Sequence, residues 1–270
     1  FLRGPSVTAT QAFMMAGILA EGTTVIKNAA LEPETESLAD FLNKCGAKIK
    51  GAGTTTITVE GTGLLSGEKK TYVAPPDRIE TGSFLMLGAL AADDLTLTNC
   101  EPEHLRAVIE MLRHAGVPLE ATASTITIKG NGRVKNKSFK SFDIKTHEYP
   151  GFPTDLQAPA VVFLTQATGE ALVFETIFEG RLSYTEGLVR MGADIKLWDT
   201  HRATVRGPKL LKGRELEGPD IRAGLAYIIS GIIAKGESVI HNAYYIDRGY
   251  ERIEERLQAI GVEIERITTA

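Results

Sequence analysis

Residues 149–157 read Tyr149-Pro-Gly-Phe-Pro-Thr-Asp-Leu-Gln157, and the organisation of the chain can be worked out from this stretch. Two prolines and a glycine end whatever precedes it, and an apolar run from Ala158 to Leu164 follows at once. Thr154 or Asp155 can therefore cap a helix that begins here. Because the N–H groups of a helix N-terminus favour an ionised carboxylate, Asp155 can equally serve as a proton acceptor. This stretch alone leaves both interpretations open.

The same order of elements occurs four times along the chain. Each copy has a break marked by Pro or Asp, an apolar helix, a short strand, a second helix and further strands. The predicted unit is β-α-β-α-β-β and is about 70 residues long, so the fold class is α/β. Each second helix is predicted to end at a glycine with left-handed backbone. These glycines are Gly46, Gly116, Gly192 and Gly261.

The first helices of the copies, such as residues 84–90 and 223–234, are apolar on all sides. Helices of this kind are typical of a position enclosed by sheets. In the fourth copy, Val262 to Ile267 is predicted to be a strand, and the chain stops at Ala270 before a closing strand. We therefore expect the partner of that strand to lie in sequence outside this chain. The polar segment 61–70 is the candidate domain boundary.

Composition excludes several function classes. The chain has 270 residues, 43% of them hydrophobic, and a formal charge of −4, so it predicts a packed core and no nucleic-acid partner. The basic stretch 133–140 favours a solvated loop. No apolar run is long enough to span a bilayer and no signal peptide is evident, which predicts no membrane partner and a cytoplasmic location. The opening Phe-Leu-Arg-Gly-Pro lacks an initiator Met and suggests a fragment.

Neither a metal nor another cofactor is expected from the residue pattern. Cys45 and Cys100 have no CxxC spacing and no nearby pair of histidines, so they are predicted to be core residues in a reducing compartment. No other group of side chains has the spacing of metal ligands.

The heads of the first helices carry charged residues. The fourth copy opens with Pro219-Asp-Ile-Arg222. If the buried helices begin at one end of a domain, their N–H groups and Arg222 form an anion site, which implies a phosphorylated or carboxylated ligand. Ordinary helix capping with arginines in ion pairs explains the same pattern.

Two loops each have an arginine next to a glycine. In Asp247-Arg-Gly-Tyr-Glu-Arg252, Gly249 is predicted to let the backbone turn sharply and Arg248 to reach into a cleft. The equivalent loop of the third copy, Glu175-Thr-Ile-Phe-Glu-Gly-Arg181, ends in another arginine. A solvated cluster of ion pairs around Asp247 is the alternative.

Six motifs together resemble one family. The chain is similar, essentially end to end, to the UDP-N-acetylglucosamine 1-carboxyvinyltransferases, the UDP-GlcNAc enolpyruvyl transferases of peptidoglycan synthesis in the EPSP synthase superfamily. The motifs are Pro5-Ser-Val-Thr-Ala-Thr10, Leu31-Glu-Pro-Glu34, Pro76-Asp-Arg-Ile-Glu80, Phe152-Pro-Thr-Asp-Leu-Gln157, Asp220-Ile-Arg222 and Asp247-Arg-Gly-Tyr-Glu-Arg-Ile-Glu254.

The resemblance implies two inside-out α/β domains built from six units, with the active site in the cleft between the domains. Four of the six units are present, so the chain corresponds to the C-terminal two-thirds of such a protein. Residues 1–67 are then the last, incomplete unit of the sugar-nucleotide-side domain. Residues 68–270 are most of the second domain, and the missing N-terminal portion of the same protein is an expected partner.

The family reaction joins the 3-hydroxyl of UDP-N-acetylglucosamine to C2 of phosphoenolpyruvate and releases phosphate. The resemblance assigns proton transfer and orientation to Asp155, contact with phosphoenolpyruvate to Arg248, and further cleft roles to Arg222 and Arg181. It places Ser6 and Val7, with Pro5 beside them, at the nucleotide diphosphate. Ile177 occupies a substrate-contact position where the family commonly has valine.

Departures from the family pattern limit what this chain can do. Thr8 stands where the family usually has glycine, and the loop with the proton-donating cysteine and the Lys-Asn pair are absent, so the fragment alone is expected to be inactive. The parent protein is expected to be a transferase of cell-wall biogenesis, and hence of cell shape and division. The alternatives are a shikimate-pathway enolpyruvyl transferase and a non-catalytic nucleotide-sugar-binding relative.

Overall fold

The structure is a computed structural model and describes residues 1–129, 139–218 and 220–267. Pro219 and residues 133–138 of the basic stretch lie outside the described residues. The chain forms two compact units, Phe1–Pro76 with His147–Pro153 and Asp77–Thr146 with Thr154–Ala270. The stretch 149–157 therefore passes from the first unit into the second between Pro153 and Thr154. The assignment of residues 1–67 and 68–270 to two family domains stays a prediction.

The first unit contains one copy of the repeat. Its elements are α1 (Val7–Leu19), β1 (Thr23–Lys27), α2 (Pro33–Lys44), β2 (Lys48–Lys50) and β3 (Thr56–Glu60). The strands form an antiparallel sheet in the order β1-β3-β2. Alternate strand residues, such as Ile57 and Val59, point inwards and pack with Met14 and Ile18 of α1. One face of the sheet thus covers the inner face of α1.

The second unit contains the other three copies. The second copy consists of α3 (Arg78–Ala91), β4 (Leu95–Thr98), α4 (Arg106–His114), β5 (Leu119–Ala121) and β6 (Thr125–Ile128). The third consists of β7 (Ile144–Lys145), α5 (Gln157–Gln166), β8 (Gly169–Phe174), α6 (Thr185–Arg190), β9 (Asp194–Leu197) and β10 (Arg202–Gly207). The fourth consists of β11 (Glu215–Glu217), α7 (Ile221–Ile233), β12 (Val239–His241), α8 (Tyr244–Asp247) and α9 (Ile253–Ala259).

The sheets of the second unit surround three central helices. Their strand orders are β4-β6-β5, β7-β8-β10-β9 and β11-β12, with β7 parallel to β8 and β11 parallel to β12. Helices α3, α5 and α7 contact one another, and each also contacts a strand of a surrounding sheet. Residues 157–165 of α5 are all buried, as an enclosed helix requires. The predicted α/β fold with helices inside the sheets is confirmed.

The predicted glycine stops of the second helices are also confirmed. Gly46, Gly116, Gly192 and Gly261 all have φ between 91° and 105°, a conformation that costs an L-residue energy and glycine little. Each lies two residues after the last residue of its helix. The repeat is therefore visible in backbone conformation as well as in element order.

The strand predicted from Val262 to Ile267 is wrong. These residues form no strand, because the part of the chain that the structure describes has no strand positioned to pair with them. Side chains hold the segment instead, since the guanidinium of Arg266 donates to both Asp247 and Glu254.

Candidate active site

Asp155 does not cap a helix. It lies in a short 3-10 turn, Thr154–Leu156, and the N-cap of α5 is Leu156, which makes no side-chain cap bond. The carboxylate points to two arginines. Nη2 of Arg181 lies 2.6 Å from Oδ1, and Nη2 of Arg222 lies 3.4 Å from Oδ2. The capping interpretation of Asp155 is therefore wrong, and its carboxylate pairs with two arginines instead.

Asp220 and Asp77 do cap their helices. Oδ1 of Asp220 accepts from the N–H groups of Arg222 and Ala223 at the start of α7, and Asp77 does the same at α3. The cap fixes the first turn of α7, from which the Arg222 side chain projects towards Asp155. Burial opposes the charge of Arg222, but the nearby Tyr250, Asp155 and Asp77 outweigh it and raise the pKa of its guanidinium.

Arg181 is held by the other flank of the same turn. Its Nη1 donates to Oγ1 of Thr154 at 2.7 Å, and its guanidinium lies 5.0 Å from the centre of the Phe178 ring. These contacts leave the Arg181 side chain only 18% exposed. A guanidinium with a charged, a neutral and an aromatic partner has few alternative orientations, so it gives Asp155 a fixed neighbour.

Glu175 anchors the loop that carries Arg181. Its side chain is fully buried, and Oε1 accepts from Thr146 Oγ1 at 3.0 Å and from the N–H groups of Ile177 and Phe178 at 2.8 and 3.2 Å. Oε2 accepts from Oγ1 of Thr154 at 2.8 Å. A buried carboxylate is tolerated only with such partners, which here tie the turn at Thr154 to the loop after β8.

The role of Glu175 was not predicted from the sequence. A signal was nevertheless present, because Ala171 and Val173 of β8 point inwards and the alternation of a strand continues to position 175. A carboxylate at an inward position requires internal donors.

Arg248 lies at the end of α8, is exposed and borders the same cleft. Among the residues that the structure describes, its side chain forms no ion pair or hydrogen bond. Gly249 lies in a turn, as predicted, although its backbone is not left-handed. Glycine is needed for space: a Cβ there would lie 2.4 Å from Cγ2 of Ile221 and 3.3 Å from Nη1 of Arg222. Gly249 thus brings the Arg248 loop against the start of α7.

These side chains line one cleft of about 590 Å³ within the second unit. Its charged lining residues are Asp155, Glu179, Asp220, Arg181, Arg222 and Arg248. The cleft offers guanidinium donors for an anion beside a carboxylate that can take up a proton. The structure thus brings together four of the predicted site residues.

The other predicted site residues lie elsewhere. Ile177 is partly exposed in the loop between Glu175 and Arg181, where its N–H binds Glu175. Pro5, Ser6 and Val7 belong to the first unit, at the start of α1, where Oγ of Ser6 accepts from the N–H of Ala9 at 3.3 Å. Their nucleotide-binding role stays a prediction.

Neither cysteine belongs to the cleft lining. Cys100 is buried, and burial together with Glu101 raises the pKa of its thiol. Within the described ranges, no group of three or more His, Cys, Asp or Glu side chains is placed to hold a metal ion. None of the described helices is both long and apolar enough to cross a bilayer.

The fold is that of the enolpyruvyl transferases. The structure matches the enolpyruvyl transferase NikO from Streptomyces tendae with a TM-score of 0.84 and 24% identity, over 97% of this chain and 61% of that one. It matches EPSP synthase from Acinetobacter baumannii with a TM-score of 0.72 and 22% identity, over 99% of this chain and 63% of that one. The family model described as EPSP synthase (3-phosphoshikimate 1-carboxyvinyltransferase) matches residues 1–257, and the chain belongs to this family.

Curated relatives give a finer similarity. The chain is 45% identical over 263 residues to UDP-N-acetylglucosamine 1-carboxyvinyltransferase from Solibacter usitatus, which covers 97% of the chain and 61% of the relative. It is 46% identical to the protein of the same name from Prochlorococcus marinus, over 98% of the chain and 56% of the relative. The chain thus spans about three-fifths of the length of these relatives.

Proposed function

We propose that the protein containing this chain transfers the enolpyruvyl group of phosphoenolpyruvate to the 3-hydroxyl of UDP-N-acetylglucosamine. The observation that carries the proposal is the Asp155 carboxylate between Arg181 and Arg222, with Arg248 on the same cleft. The names of the relatives at 45% and 46% identity favour this acceptor. The activity belongs to a transferase of peptidoglycan synthesis, and hence of cell-wall biogenesis, cell shape and division, in the cytoplasm.

The reaction needs a proton acceptor and a site for two anionic groups. In the addition step, the sugar oxygen bonds to C2 of phosphoenolpyruvate, the hydroxyl proton leaves, and C3 gains a proton. In the elimination step, C3 loses a proton, the C2–C3 double bond re-forms and phosphate departs. Asp155 takes the hydroxyl proton, while Arg248 and Arg222 hold the carboxylate and phosphate through paired N–H donors.

The two oxygens of Asp155 are not equivalent in this scheme. Oδ1 is held by Arg181 at 2.6 Å, which orients the carboxylate. Oδ2 lies 3.4 Å from Arg222, a distance beyond a usual N–H···O hydrogen bond, so it is the oxygen with the lone pair available to the sugar hydroxyl.

The first unit supports the missing N-terminal portion of the same protein as a partner. Phe13, Met15 and Leu19 of α1 are 52%, 47% and 59% exposed, whereas the corresponding α3, α5 and α7 enclose one another. An apolar face of this kind requires a cover in solution. The part of the relatives that this chain does not match would supply both the cover for α1 and the cysteine-bearing loop. The chain alone is therefore expected to be inactive.

The test is an assay of the intact protein for phosphate release. Phosphoenolpyruvate is supplied with UDP-N-acetylglucosamine, with shikimate 3-phosphate, or with neither. Release that depends on UDP-N-acetylglucosamine is the expected result. Release only with shikimate 3-phosphate would favour the shikimate-pathway enzyme, and binding of UDP-N-acetylglucosamine without release would favour a non-catalytic sensor. Steady turnover by this chain alone would contradict the fragment's inactivity.

A further inference from the structure

A chain of hydrogen bonds with a defined direction begins at Arg222 and ends inside the second unit. Nη1 of Arg222 donates to the Tyr250 hydroxyl at 3.2 Å, and that hydroxyl lies 3.0 Å from Oγ of Ser83. Ser83 donates its only hydroxyl proton to the carbonyl oxygen of Ile79 at 2.8 Å. The Tyr250 hydroxyl must therefore donate to Ser83 and accept from Arg222.

The hydrogen-bonded groups of Tyr250 and Ser83 are buried. Tyr250 is 1% exposed and Ser83 is fully buried on α3. Burial raises the pKa of the Tyr250 hydroxyl despite the opposing effect of Arg222, so the group keeps its proton at neutral pH. The Arg222 guanidinium also lies 5.5 Å from the Tyr250 ring centre. One side chain thus meets Arg222 with both its hydroxyl and its ring.

Tyr250 is also close in sequence to Arg248. It follows Gly249, whose α-carbon packs against Ile221 and Arg222 at the start of α7. Residues 249 and 250 therefore connect the loop of one cleft arginine to the side chain of another. Tyr250 itself is buried and is not among the residues that line the cleft, so it has no direct access to a ligand there.

We propose that Tyr250 is a positioning residue, which orients the Arg222 guanidinium towards Asp155 and holds the Arg248 loop in register with it. This inference rests on the proposed enolpyruvyl transfer for its kinetic consequence only. The orientation of Arg222 can be measured without any substrate.

The test uses Tyr250→Phe in the intact protein, with Tyr227→Phe as the matched control. Phenylalanine keeps the buried ring and removes the hydroxyl that accepts from Arg222 and donates to Ser83. Tyr227 is another buried tyrosine, on α7, whose hydroxyl donates to the backbone oxygen of Tyr184 at 2.8 Å and contacts no arginine of the cleft lining. Both variants lose one buried hydroxyl, so a general loss of stability affects both.

Two readouts are compared. Modification of Arg222 by phenylglyoxal, followed by peptide mass spectrometry, is expected to accelerate severalfold in Tyr250→Phe and to stay at the wild-type rate in Tyr227→Phe. For kcat/KM, Tyr250→Phe is expected to lose roughly ten- to a hundredfold, the range for a hydrogen bond to a charged group. Its effect should largely vanish in an Arg222→Lys background, because both changes break the same contact.

An unchanged rate of Arg222 modification in Tyr250→Phe would overturn the inference. So would a double variant whose loss in kcat/KM equals the product of the losses in Tyr250→Phe and Arg222→Lys. Equal effects in Tyr250→Phe and Tyr227→Phe would also overturn it, since they would indicate a structural role alone. If the wild-type protein lacks transferase activity, the proposed function fails, while the modification rates still decide the role of Tyr250.

Discussion

Nη2 of Arg181 lies 2.6 Å from Oδ1 of Asp155, so the proposed proton acceptor of the cleft is itself held by a cation. The same guanidinium donates to Oγ1 of Thr154, the residue before Asp155. The carboxylate and its turn therefore move together with the loop that ends at Arg181. Four variants of the cleft and its supports, together with one pH experiment, give testable predictions.

Asp155→Asn is expected to lower kcat roughly 10²- to 10⁴-fold, the usual contribution of a general base. The amide keeps the size of the side chain but cannot take up the hydroxyl proton at neutral pH. Phosphate release by the intact protein is the measurement. Asp199→Asn is the control, because Asp199 also pairs with an arginine, Arg202, but on the exposed surface. Activity of Asp155→Asn close to that of the control would contradict the assignment.

Arg248→Gln is expected to raise KM for phosphoenolpyruvate with little change in the temperature of unfolding. Its guanidinium is exposed and has no hydrogen bond or ion pair among the described residues, so its removal leaves no buried partner unsatisfied. Steady-state kinetics and thermal unfolding are measured on the same preparation. The exposed Arg206 of the outer sheet provides the control variant Arg206→Gln. An unchanged KM would remove Arg248 from the binding site.

Glu175→Gln is expected to lower the free energy of unfolding by about 1–3 kcal/mol, the cost of leaving a buried polar group unsatisfied. The carboxylate accepts from two backbone N–H groups and two hydroxyls, and an amide nitrogen cannot accept from them. Urea unfolding of the variant and of Glu170→Gln, an exposed glutamate on β8, gives the comparison. Equal stability of the two variants would mean that Glu175 does not anchor the loop.

Gly249→Ala is expected to destabilise the protein by about 1–3 kcal/mol, the usual cost of overpacking, and to weaken phosphoenolpyruvate binding. The added Cβ would lie 2.4 Å from Cγ2 of Ile221 and push the Arg248 loop away from α7. Gly67→Ala is the control, since a Cβ at that position meets nothing within 4 Å. If both variants bind phosphoenolpyruvate like the wild type, close packing at Gly249 does not shape the cleft.

Stability is expected to fall at high pH. Burial raises the pKa of Tyr227 from its ordinary value of 10.0 to about 12, and burial also raises the pKa values of Tyr184 and Tyr250. Between pH 10 and about 12 the folded protein holds more protons than the unfolded chain, so the free energy of unfolding decreases as pH rises. Urea unfolding at several pH values should show a shallower decrease in Tyr227→Phe, and identical slopes would contradict the shift.

Local patterns were sufficient for much of the fold. The glycines after the second helices, such as Gly192, and the apolar first helices were predictable because backbone handedness and burial act within a few residues. The two-residue strand Ile144–Lys145 has too little pattern to be recognised. Residues 262–267 show strand composition, but the described part of the chain offers them no strand to pair with. Strand pairing joins residues that are far apart in sequence, so a short stretch of sequence does not reveal it.

The same distinction applies to the site. Residue type and the resemblance indicated Asp155, Arg181, Arg222 and Arg248 as members of one cleft. They did not indicate that Asp155 is an ion-pair partner rather than a cap, or that Glu175 supports its turn, because both depend on side chains 20 or more residues apart in sequence. The turn at Gly249 was predictable, whereas its close packing against Ile221 and Arg222 was not.

The charged side chains of the cleft lining balance, with three arginines and three carboxylates. Such a lining is electroneutral and cannot draw an anion from a distance by its own field. Of the three lining arginines, Arg248 alone forms no ion pair among the described residues, whereas an anion that binds Arg181 or Arg222 competes with Asp155. The affinity of this cleft for an anion is then governed by competition between the ligand and the carboxylates of the protein. Added salt should weaken this binding less than it weakens binding to a cluster of arginines without carboxylate partners.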